Sequence, residues 1–168
     1  RPLAPTVQID SPATPNDTPQ KLVTSHVRTM TANSTHIFWS IQVGGEFCPT
    51  DGEPAIHRIP LGGGTDETLY HSSSFNPYQM AADENYVYFA DWQNDQIKRL
   101  PVAGGTPSVL APGNGLIYHR GLAVDASYVY WGDETGIRRV LKIGGTPELL
   151  AADSESTKLA VDSTHVYW

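Results

Sequence analysis

A single cysteine, Cys48, stands in the 168 residues. No disulfide forms within the chain, so a cysteine framework is excluded as its source of stability. Long apolar runs are missing as well, and none approaches the roughly 20 residues of a membrane-spanning helix. Positive charge is scarce. Lys and Arg number 11 against 18 Asp and Glu, for a net charge of −7. A phosphate backbone needs a basic face, so nucleic acid is excluded as a partner. No HExxH, GxSxG, P-loop or dinucleotide fingerprint occurs. No stretch reads as a helix of useful length. Turn formers, by contrast, are plentiful, with 15 Gly and 13 Pro, and 39% of residues are hydrophobic, enough for a core. The length suits one domain or a short array of repeats.

The repeats are visible in the sequence. MTANSTHIFW (30–39), MAADENYVYF (80–89), LAVDASYVYW (122–131) and LAVDSTHVYW (159–168) share a pattern: small residues, an Asn or Asp turn, then alternating β-branched and aromatic residues. A second series is interleaved with the first: AIHRIPLGGGTDETLY (55–70), QIKRLPVAGGTPSVLA (96–111) and GIRRVLKIGGTPELLA (136–151). Each unit of about forty residues therefore holds four short strands, here called a to d, as in a β-propeller blade. Asp125 and Asp162 suit the a–b turn through side-chain bonds to the backbone. The Gly-Gly-Thr triplets suit the c–d hairpin, where positive φ is needed.

The N-terminal region fits the same scheme. TPQKLV (18–23) matches TPSVLA (106–111) and TPELLA (146–151), and TVQID (6–10) falls where a strand c belongs. The expected fold is an all-β propeller of about four blades, circularly permuted. Residues 1–17 form an extended segment that includes strand c of a split blade, or else a tail, and residues 18–168 form the repeats. The blade units are 27–70, 80–111, 122–151, and 159–168 completed by 6–23. On this reading strand c from the N-terminal segment covers Trp168. The split blade could close within the chain, by exchange between two chains, by head-to-tail association, or against the rest of a longer propeller. Arg1 at the start suits a processed chain, and an arbitrary boundary equally.

The stretch VYWGDETGIRRV (129–140) resembles the YWTD type of propeller repeat. LAVD and VYW followed by I-R and GGTP are similar to secreted bacterial repeats of the six-bladed TolB-like superfamily. The resemblance spans residues 18–168. It departs where the Thr of YWTD is Gly132 or Ala90, and where FWSI in the first unit lacks the Asp. It implies a secreted protein, extracellular or periplasmic. It also implies a structural role in joining adjacent blades for Tyr130, Trp131, Asp133, Tyr88, Phe89 and Asp91. Trp39 and Trp168 match the aromatic position alone. Because such propellers host unrelated activities, the resemblance implies fold more than function.

Propeller ligands sit on the face made by the b–c loops (40–54, 90–95, 132–135) and the d–a loops (71–79, 112–121, 152–158). These loops differ between copies while the strands do not. Trp92, Tyr78, Tyr118, His119 and Arg120 are the candidate ligand-binding residues. Aromatic, His and Arg groups together suit a sugar ring and its hydroxyls, although packing between loops would use the same aromatics. His36 and His165 share the repeat position of Tyr86 and Tyr128 and read as structural. His26, His71 and His119 lie near the starts of strands a, without the spacing of a zinc site. Asp91, Asp95, Asp133 and Glu134 offer carboxylates to Ca²⁺ but lack its dense loop order, so solvated turns are preferred and no cofactor is expected. Cys48 lacks a catalytic signature. The expected function is a non-enzymatic scaffold or binding module. Its partner would be itself, the rest of a longer propeller, or a carbohydrate or protein ligand. The alternative is a carbohydrate-directed lyase or hydrolase on the loop face.

Overall fold

The computed structural model describes residues 8–9, 20–21, 27–41, 53–115, 121–152 and 158–168. The strands β1 (Gln8–Ile9) and β2 (Gln20–Lys21) pair antiparallel as a sheet of two. The first blade is β3 (Val27–Ala32), β4 (His36–Ile41), β5 (Ala55–Pro60) and β6 (Glu67–His71). The second is β7 (Pro77–Ala82), β8 (Tyr86–Asp91), β9 (Gln96–Pro101) and β10 (Ser108–Pro112). The third is β11 (Leu122–Val124), β12 (Tyr128–Asp133), β13 (Gly136–Leu141) and β14 (Glu148–Ala151). A two-stranded sheet ends the series, β15 (Ala160–Val161) with β16 (Val166–Tyr167). In every blade, strands pair antiparallel in chain order. The a strands adjoin in turn, β3 on β7, β7 on β11 and β11 on β15, which sets the blades side by side around an axis. Among the described residues no helix is long and apolar enough to cross a membrane.

Period-two alternation along strand b makes the junctions. In β8, Val87 and Phe89 point to the first blade and pack with Phe38, Ile56, Phe75, Met80 and Leu100. Tyr88 and Ala90 point the other way, to Leu122, Val129, Trp131 and Val140 of the third blade. Both faces of one strand are thus buried, and the pleat alone decides which neighbour each side chain meets. Full burial of such side chains stabilises by about 1.5–3 kcal/mol each. Ile37, Trp39 and Ile59 form a third cluster on the opposite face of the first blade.

The turns follow the sequence reading. The c–d hairpins close with Gly63, Gly104 and Gly144 donating to Pro60, Pro101 and Leu141 at 2.8–2.9 Å. Gly104 and Gly105 have φ of 89° and 121°, and Gly144 and Gly145 have 93° and 139°, conformations that a side chain would strain. Gly121 answers a different demand. A Cβ there would lie 2.7 Å from the carbonyl carbon of Lys158 and 2.8 Å from Leu159 Cβ, so this glycine lets the chain leading into β15 approach the third blade.

Several expected loop boundaries shift, with Ser40 and Ile41 falling in β4, His71 in β6 and Pro112 in β10. Strand β7 starts at Pro77, which moves Tyr78 out of the expected 71–79 loop and into a strand. The pairing runs from Pro77 with Asp91 to Met80 with Phe89, so Tyr78 sits in a bulge between them. Strands β8 and β12 run on through Asp91 and Asp133, which pair with Gln96 and Gly136 and are therefore strand residues, where loop residues were expected.

Candidate functional site

The b–c and d–a loops of the second blade meet around Asp91, which is fully buried. Its Oδ1 accepts from the Asn76 backbone N–H at 3.0 Å. Its Oδ2 accepts from Asn94 Nδ2 at 2.7 Å and from Lys98 Nζ at 2.6 Å. Asp133 stands at the same place in the third blade. Its Oδ1 accepts from Thr135 N, Thr135 Oγ1 and Gly136 N, and its Oδ2 lies 2.6 Å from Arg138 Nε. In the first blade Ile41 replaces the acid, and His57 replaces the base and stacks on Trp39 at 5.3 Å. Acid and base change together, as a buried ion pair requires. Each carboxylate clamps its own blade's loop to its own strand c. Asp91 also holds the backbone of Asn76, in the connection from the first blade to the second, and Tyr88, Phe89 and Trp131 lie in the clusters that span the junctions.

Trp92 follows Asp91. It donates its backbone N–H to the Asn76 carbonyl at 3.0 Å, and 40% of its surface is exposed on the loop face. Tyr78 is buried, and the Arg28 guanidinium from β3 lies 3.6 Å above its ring, a cation–π contact between a strands of adjacent blades. The structure thus places Tyr78 between blades. Tyr118, His119, Arg120, His26 and Cys48 lie outside the described residues. His36 and His165 sit alike in their turns, with Nδ1 2.8 and 2.7 Å from the preceding Thr hydroxyl. Asp95 accepts from the Gly115 backbone N–H. Among the described residues no three His, Cys, Asp or Glu side chains gather as a metal site.

Polar contacts add to these apolar junctions at the opposite end of the blades, around the a–b turns. Asn33, Asp83, Asp125 and Asp162 each cap their turn, with Oδ1 accepting two backbone N–H groups at 2.7–2.9 Å. The three aspartates use Oδ2 to accept a tyrosine hydroxyl five residues on, from Tyr88 at 2.8 Å, Tyr130 at 2.6 Å and Tyr167 at 2.7 Å. Asn33 has Phe38 at that place and donates Nδ2 to the Asp83 carbonyl at 3.0 Å. Burial raises the aspartate pKa values, but the hydrogen bonds outweigh it and hold Asp83 and Asp125 below the usual range. Asp162, lowered first by the Tyr167 bond, follows the same pattern. Burial, then the bond to Asp125, pushes Tyr130 up to about 12.

The same basic position of strand c reaches across each complete junction. Arg58 donates Nη1 to the Val102 carbonyl of the next blade. Arg99 donates Nη1 to the Lys142 carbonyl at 2.6 Å. Lys142 returns its Nζ to Asp83 at 2.8 Å. Between the third blade and the last sheet lies a cavity of about 430 Å³, lined among others by Asp125, Tyr128, Tyr130, Arg139, Asp162 and His165. The repeat logic of these contacts was open to inspection in the sequence. The fixed offset of Tyr from Asp, and its loss together with the charge at Asn33 and Phe38, is the signal that finds them.

No family model matches the chain, and no curated protein matches it. Solved structures do. One is a nidogen/laminin complex, with TM-score 0.68 and 20% identity over 86% of this chain and 57% of that one. The virginiamycin B lyase of Staphylococcus aureus gives 0.66 and 13% over 91% and 53%. A streptogramin B lyase gives 0.59 and 14% over 81% and 45%. The fold is a β-propeller. At these identities the likeness shows the fold alone, the one that the repeats implied. The propeller chain spans about half the length of the solved structures it matches.

Proposed function

We propose that the chain is a non-enzymatic propeller scaffold that binds polypeptide through its open last sheet. The carrying observation is a contrast between equivalent residues. Trp131 of β12 is 1% exposed, whereas its counterpart Trp168 is 54% exposed and Tyr167 is 51% exposed. Strands β15 and β16 form a sheet of two, separate from the sheet of β1 and β2. A strand edge with aromatic side chains beside it is a template for pairing with another strand. The buried carboxylates Asp91 and Asp133 are committed to hydrogen bonds and ion pairs, which suits a scaffold better than acid–base work. That one similar structure is a complex of nidogen and laminin agrees with a protein-binding role. In this reading the protein acts outside the cytoplasm, and any loop-face ligand such as a carbohydrate meets Trp92.

Light scattering over a dilution series tests the reading. The expected result is a mass that rises with concentration, and a smaller rise in Tyr167→Ser/Trp168→Ser. A strict monomer at all concentrations would count against self-association through this sheet.

A further inference from the structure

The second blade carries a longer b–c loop than the third. Residues 92–95 separate Asp91 from its strand partner Gln96, whereas Glu134 and Thr135 alone separate Asp133 from Gly136. Both loops clamp their buried carboxylate, so the clamp needs neither the added length nor a tryptophan. Extra loop residues on a rigid scaffold are where binding groups are found.

The added residues set an aromatic surface beside fixed acceptors. Trp92 is 40% exposed, although its backbone N–H is tied to the Asn76 carbonyl at 3.0 Å. Asn94 is exposed, and its Nδ2 donates to the Ser74 carbonyl at 2.8 Å and to Asp91 Oδ2 at 2.7 Å. Both amide hydrogens are thereby used, which leaves Oδ1 as an acceptor held in one direction. The neighbouring loop of the first blade adds Ser72 and Ser74. Their hydroxyls lie 2.9 Å apart, and Ser72 Oγ also accepts the Ser74 N–H at 3.2 Å. One hydroxyl proton is consumed within that pair. Asn76 Oδ1 is a buried acceptor with no donor among the described residues. The cluster is therefore rich in acceptors and short of donors. Asp95, next in the chain, is exposed as well, and the net charge is −7, so an anionic ligand is disfavoured.

We infer that the surface of Trp92, Asn94 and Ser74 binds a neutral sugar. A pyranose ring offers an apolar face of C–H groups to the indole and hydroxyl donors at its edge. Those hydroxyls donate to Asn94 Oδ1 and to the Ser74 hydroxyl oxygen. A proline-rich segment would also stack on the indole, but its prolines carry no N–H and its carbonyls would meet acceptors. The donor balance favours the sugar. This names the chemistry of the loop-face ligand and rests on that part of the scaffold reading, while standing apart from the open last sheet.

The test uses the full chain, an array of neutral oligosaccharides of glucose, mannose and galactose, and a polyproline peptide, with tryptophan fluorescence as a second readout. At least one oligosaccharide should bind saturably and shift the emission. Its per-O-methylated form keeps the ring and every oxygen but donates nothing, and should bind about tenfold more weakly or worse. Trp92→Ala should also weaken binding about tenfold or more, through loss of the stacking surface. Ser74→Ala keeps the backbone carbonyl that holds Asn94 and should weaken binding about threefold or more, with an unchanged melting curve. Binding by no member of the array would overturn the inference. So would equal binding of the methylated form, binding untouched by Trp92→Ala, or tighter binding of the polyproline peptide. An empty array from a chain whose mass rises with concentration removes the sugar site and leaves self-association through the last sheet standing. An array hit from a strict monomer does the reverse.

Discussion

Breaking the Asp83–Lys142 bond should uncouple the second blade from the third. The two groups lie 2.8 Å apart, with side chains 24% and 16% exposed. A hydrogen bond to a charged group contributes about 1.5–3 kcal/mol net. Asp83 keeps two backbone donors and the Tyr88 hydroxyl when Lys142 is lost. Lys142→Met should therefore cost about 2 kcal/mol, at the lower part of that range. Asp83→Asn should cost about 1–1.5 kcal/mol, because Oδ1 still caps the turn. The double variant should fall short of the sum by about 1 kcal/mol, the coupling of the pair. For a chain of this size each kcal/mol shifts Tm by about 2–4 °C. Asp83 titrates below its ordinary value, so the native state favours the carboxylate. The coupling is then fully present above the unfolded carboxylate pKa of about 4 and is lost as pH falls through the folded value. Urea unfolding of the four proteins at neutral pH and at about pH 2 measures both effects. A neutral-pH coupling below about 0.3 kcal/mol, the scatter of independent sites, would refute the argument.

Gly121→Ala should push the last sheet, β15 with β16, off the third blade, at a cost of about 1–3 kcal/mol, and limited proteolysis should then cut sooner within residues 158–168. Asp91→Ala should cost about 3 kcal/mol or more by stranding Lys98, and Asp91→Ala/Lys98→Met should recover part of it in thermal melts. The raised Tyr130 pKa favours the protonated native state, so its contribution is complete below the unfolded value near 10 and falls away up to about 12. Tyr130→Phe should flatten the alkaline loss of stability over that window, measured by urea midpoints against pH.

The blades were legible because their signals are local. Strand b alternates, Gly-Gly-Thr needs positive φ, and Asp125 and Asp162 bond within their own turns. Junction contacts were harder to read because they join residues about fifty positions apart, as Arg58 and Val102 or Asp83 and Lys142. They become visible only when repeats are compared for residues that change together. The sequence alone puts Tyr78 in a loop because the bulge at β7 breaks the repeat alignment just ahead of MAAD. Family resemblance points to Asp91 and Asp133 but not to their partners. The geometry gives them Lys98 and Arg138 in their own blades.

Hydrogen exchange across residues 158–168 tests the open sheet most directly. Strand β12, paired on both sides with β11 and β13, supplies the internal reference. The account predicts that the β16 amides exchange much faster than those of β12 in dilute protein, and that they gain protection as the protein is concentrated. Protection of β16 equal to that of β12 at every concentration would contradict it.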